Sequence, residues 1–129
     1  MTQMQKAKLC CEMIVSHYSY GNGSFSIDSG AYGTGLCGSF AGVTKHVMSA
    51  AGIPCMVLGG GNHAWNFARI DGTWYAIDTS PMAKNGYPGA DSIFTLAAWD
   101  LRPTEGGIYK ASHADNVKVA MALVEAAGW

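Results

Sequence analysis

With 129 residues, 49% of them hydrophobic and 13% charged, the chain has the size of one domain and enough apolar material to bury a core without disulfides or a structural metal. Eight Lys and Arg against nine Asp and Glu, with no basic run, argue against a nucleic-acid partner, and a net charge of -1 on so apolar a chain argues against disorder. The most apolar stretches, 53–58 and 117–127, are too short or carry Glu125, so no membrane span is expected.

Near the N-terminus, residues 9–15 are interrupted by Glu12 and followed by no small-residue cleavage site, so no signal peptide is read there. Location stays open between a cytosolic protein and a domain of a larger secreted or cell-surface bacterial protein. Met4, Ala7, Cys11, Ile14, Val15 and Tyr18 recur at helical spacing and predict an amphipathic helix over 2–18. Cys11 then lies in the buried stripe and Cys10, about 100° round the helix, outside it. Residues 21–35 have loop chemistry. From Cys37 to Ala51, Phe40, Val43, Val47 and Ala51 predict a second helix, ended by Gly52 and Ile53-Pro54.

Residues 53–58 read as a short buried strand before the break Gly59-Gly60-Gly61. Residues 63–70 and 73–79 alternate around Asp71-Gly72, which predicts a hairpin with a two-residue turn. Residues 93–101 fit either strand or helix, and 115–127 read as a last helix with Val117, Ala120, Met121 and Val124 inward. The order of elements predicts an α+β domain over 1–129, with the helices gathered on one side of an antiparallel sheet.

Three residues then stand out. Cys37 falls at a helix N-terminus, where unpaired N–H groups and the positive end of the dipole favour a thiolate, the nucleophilic form of cysteine. A cysteine taken alone is more often a small buried hydrophobe, but the flanking Gly35 and Gly38 leave room for a substrate backbone. With a two-residue turn, Ile70 pairs with Thr73, Trp65 with Asp78 and His63 with Ser80, so His63 and Asp78 become diagonal neighbours on one face. Together with Cys37 they make a nucleophile, a base and its orienter, with Asn66 next in line for the third role. Trp65, on the same face, is placed to shield the site from water.

The string Gly33-Thr34-Gly35-Leu36-Cys37-Gly38 also matches the glycine fingerprint of dinucleotide sites, but no strand precedes it and no acidic residue follows the next strand. His17, His46 and His113 lack metal-ligand spacing, and no Cys pair has the spacing of a zinc site. Neither a cofactor nor a metal is expected.

The blocks Ala31-Tyr32-Gly33, Gly35-Leu36-Cys37-Gly38-Ser39-Phe40-Ala41, Ala50-Ala51-Gly52-Ile53-Pro54, His63-Ala64-Trp65-Asn66 and Asp71-Gly72-Thr73-Trp74-Tyr75-Ala76-Ile77-Asp78 resemble, in that order, the transglutaminase-like superfamily of cysteine acyl-transfer enzymes, related in fold to papain-like proteases. The likeness covers about 31–81, and the approach to Cys37 through Gly33-Thr34-Gly35 is shorter than in many bacterial relatives. The resemblance implies a papain-like core and acyl transfer from amide bonds of a protein or peptide, a cell-wall peptide among the candidates. It also implies Cys37 as nucleophile, His63 as base and Asp78 as orienter. The backbone N–H of Cys37 is the first candidate oxyanion donor and Tyr32 the second. Hydrolysis gives a protease or deamidase, and an amine acceptor gives cross-linking. The alternative is a catalytically idle module on the same fold that binds peptide or cell-wall polymer.

Overall fold

The computed structural model describes residues 1–30, 32–60, 63–101 and 110–128. Ala31 of the family-like blocks and Gly61 of the glycine break lie outside these residues, as does the side chain of His113.

The first helix, α1, spans Gln3–His17. It starts at a capping box in which Thr2 Oγ1 accepts from Gln5 N–H at 3.1 Å and Thr2 N–H donates to Gln5 Oε1 at 2.8 Å. Such a cap is worth about 1 kcal/mol. The chain then forms β1 (Tyr18–Tyr20), crosses a 3-10 turn at Ile27–Ser29, and returns as β2 (Gly33–Gly35), parallel to β1. This two-stranded pair replaces part of the expected loop. It depends on glycine for packing, because a Cβ on Gly33 would stand 2.6 Å from Phe25 Cβ and one on Gly35 2.7 Å from Ser39 Oγ. Phe25 anchors the region, stacked on Tyr18 at 4.2 Å and edge-on to Phe40 at 5.0 Å between ring centroids.

Helix α2 spans Cys37–Ala50 and leads into β3 (Cys55–Gly60), β4 (His63–Ile70) and β5 (Thr73–Ile77). A short helix α3 (Ser80–Asn85) and a 3-10 turn at Gly89–Ser92 precede β6 (Ile93–Thr95). The four strands form one antiparallel sheet in the order β3-β4-β5-β6. The ambiguous segment 93–101 divides: its first three residues pair with β5, and the rest form α4 (Leu96–Leu101). The last helix, α5, spans Lys110–Ala127, longer at its start than expected. No helix of the described residues is long and apolar enough to cross a membrane.

The molecule is α+β, as expected, but helices cover both faces of the sheet rather than one. On β4, Ala68 and Ile70 join Cys55 and Ile77 in a cluster with Ala7, Cys11 and Met48 of α1 and α2. Trp65 points the other way, into a cluster with Ala76 and Trp99 against which Phe94 and Val117 pack. The apolar 63–70 strand is thus buried on both sides, which simple alternation does not reveal.

Two local expectations also change. Cys10 is buried beside Cys11, since α1 meets the sheet and α2 and also the Gly89–Ser92 turn. There a Cβ on Gly89 would collide with the Cys11 carbonyl, and Ala90 N–H donates to Glu12 Oε1 at 2.7 Å. On α5, Ala120 and Val124 are buried, whereas Met121 is 38% exposed.

Candidate active site

The hairpin carries the first half of the site. Asp71 (φ 50°) and Gly72 (φ 80°) both lie in the left-handed region, the signature of a type I′ turn. Ile70 pairs with Thr73 and Asn66 with Ile77, so the register is the expected one and its next pair brings Trp65 opposite Asp78. His63 Nε2 meets Asp78 Oδ2 at 2.8 Å. Asp78 is 1% exposed, its backbone N–H donating to Ser92 O at 2.9 Å and its Oδ1 accepting from Ser80 Oγ at 3.4 Å. A carboxylate only accepts hydrogen bonds, so within this pair Nε2 is the donor.

Trp65 lies behind this pair. Its ring is stacked with the His63 ring at 6.0 Å and 16°, and is 5.5 Å from that of Trp99. At 1% exposure it backs the imidazole from inside the core and offers little surface to a substrate.

Cys37 carries the second half. It is the first residue of α2, half-buried, behind Leu36 in extended conformation. No side chain caps this helix and its first turn holds no acidic residue, which leaves the positive end of its dipole without a countercharge from the helix itself. Among the described residues, Cys37 Sγ makes no hydrogen bond to His63. His63, Trp65 and Asp78 share one face of the hairpin, and α2 packs on the opposite face. Asn66, whose side chain points away from that of Trp65, donates to Ala41 O of α2 at 2.8 Å and to Met56 O at 3.3 Å.

The remaining candidates separate. Around Gly38 a Cβ would meet nothing within 4 Å, so the space beside Cys37 is open. Gly35 answers instead to Phe25 and Ser39, and the fingerprint glycines Gly33 and Gly35 serve packing. Tyr32 is 77% exposed, with its ring 5.9 Å from that of His17 at the end of α1. Asn66 clamps α2 to the sheet and takes no part in the His63–Asp78 pair. The other three cysteines are buried. Burial holds the Cys10 and Cys11 thiols above the usual range, with Cys10 and Cys55 adding repulsion at Cys11. Burial also pushes the Cys55 thiol up to about 12. No group of three or more His, Cys, Asp or Glu among the described residues is placed to hold a metal ion.

Three contributors were not singled out from the sequence. Ser80 stands two residues beyond Asp78, a spacing that is readable. Ser92 falls just before the segment whose type was ambiguous, and Trp99 within it. No family model, curated protein or solved structure matches the chain.

Proposed function

We propose that the protein is a cysteine-dependent acyl-transfer enzyme acting on amide bonds of a protein or peptide, on a transglutaminase-like, papain-related core. The observation that carries this reading is the 2.8 Å His63–Asp78 pair, buried on the aspartate side and 26% exposed on the histidine side. A buried carboxylate fixing one imidazole nitrogen is the arrangement a general base needs.

In the reaction, His63 Nδ1 takes the Cys37 thiol proton and Sγ attacks the amide carbon, forming a C–S bond and an oxyanion. The Cys37 N–H at the uncapped start of α2 is the donor suited to that charge. The imidazolium, stabilised by Asp78, gives its proton to the leaving nitrogen as the C–N bond breaks, which leaves a thioester. Water or an amine then attacks, His63 takes its proton, and the C–S bond breaks to return the thiol. Resting enzymes often hold nucleophile and base too far apart for a hydrogen bond, a gap that substrate binding closes.

The second reading is an idle module on the same fold that binds peptide or cell-wall polymer. Intact-mass and peptide mass spectrometry after incubation with a peptide library separates the two. An acyl adduct on Cys37 that is absent from Cys37→Ala supports the enzyme. Binding without any adduct supports the module.

A further inference from the structure

Helix α5 is apolar on two sides. Its inner side packs on the molecule: Ala120 is 1% and Val124 5% exposed, and Val117 lies against the Trp65–Trp99 cluster. Val119, Ala122, Leu123 and Ala126 follow at i, i+3, i+4 and i+7 and form a second stripe turned to solvent, with Val119 60% and Leu123 61% exposed. A helix on a monomer surface normally carries polar residues there. The exposed charges along this stretch are Lys118 and Glu125, seven residues apart and so above one another on the same flank of the stripe.

We propose that this stripe is a self-association surface on which two copies of the chain pair their α5 helices antiparallel about a two-fold axis beside Ala122. Charge complementarity identifies the occupant and its direction. In an antiparallel pair like flanks meet, so Lys118 comes opposite the partner's Glu125, and Glu125 opposite the partner's Lys118. In a parallel pair each flank would meet its opposite, which holds Ala120 and Ala127 and no charge. Ala122 at the crossing lets the backbones approach, and Val119 and Leu123 interlock on either side. A lipid surface fits less well, because Lys118 is offset by Glu125 where a basic flank would be needed. The stripe covers two turns, about 12 Å, so the association is weak and reversible, with Kd on the order of 10–100 μM.

Sedimentation equilibrium of the full chain from about 10 μM to about 1 mM tests this. The expected result is a monomer–dimer equilibrium that Leu123→Glu abolishes and that Lys118→Glu and Glu125→Lys each weaken about tenfold. Mixing the two charge variants restores a heterodimer, since each then faces the opposite charge. All three side chains are exposed, so circular dichroism melts should match the parent. A monomer at every concentration overturns the proposal and leaves the stripe to a different partner. A dimer indifferent to Leu123→Glu, or charge variants that fail to recover on mixing, overturns it as well.

Discussion

His63 and Asp78 belong to one hairpin, whose turn and register leave them a single relative position, whereas Cys37 rides on a separate helix tied by tertiary bonds to β4 and to the chain just after β5. Those bonds are Asn66 to Ala41 O at 2.8 Å and Thr44 to Thr79 at 3.1 Å between hydroxyls, both buried. Side chains on and just beyond paired strands are aligned by backbone pairing. A side chain on a helix is aligned by packing, which tolerates small shifts. The two halves should therefore respond differently to substitution.

The largest expected effect breaks the hairpin half. Asp78→Asn keeps the volume but removes the charge behind the imidazolium, and turnover of a peptide found by trapping should fall about 10⁴-fold. Iodoacetamide labelling of Cys37 and the far-ultraviolet spectrum should persist. Full activity would move the orienter elsewhere.

Next comes the helix half, read by labelling alone. At pH 8 the Cys55 thiol, raised from 9.0 to about 12, holds about a thousandfold less thiolate than an ordinary cysteine. Cys10 and Cys11 are raised in the same direction by burial. Iodoacetamide followed by peptide mapping should mark half-exposed Cys37 first, with the other three catching up only as pH approaches their raised values or the protein unfolds. Equal labelling at pH 8 would contradict the burial of the other three.

Asn66→Ala tests the tie between the halves. It leaves Ala41 O and Met56 O without their side-chain donor and should cost about 2 kcal/mol in urea denaturation. Activity should drop modestly with an unchanged pH profile. A loss as deep as that of Asp78→Asn at unchanged stability would make Asn66 part of the chemistry.

The smallest effect is expected at Gly38. Its surroundings are open, so Gly38→Ala should leave stability unchanged or raise it by up to about 1 kcal/mol, as alanine does in helices. A rise in KM with kcat preserved would mean that substrate passes over this position.

What was readable in the sequence follows the same division. Asp71-Gly72 specifies its own turn, and every pair beyond it follows by counting, so β4 and the His63–Asp78 juxtaposition were accessible from local chemistry. The bounds of α2 were accessible too, through periodicity and the Gly52 stop. The placement of α2 against the sheet was not, because the side of β4 that faces it depends on Asn66 finding Ala41 across 25 residues of chain. The β1–β2 pair escaped for a similar reason: its glycines are required by Phe25 and Ser39, which come from elsewhere in the sequence. Trp99 could not be assigned while 93–101 fitted both periods, and the helices on the second face of the sheet were missed with it.

The hairpin turn has one more connection. Asp71 N–H donates to Gln3 Oε1 at 2.7 Å, and Asp71 Oδ2 accepts from Met4 N–H at 3.2 Å, so the tip is latched to the start of α1. From that latch β4 runs eight residues to His63, about 26 Å of strand. A slip of one residue at the tip would turn every side chain along it to the other face, and His63 with them. The opening residues of the chain thus act as a remote clasp on the alignment of an imidazole at the far end of the sheet.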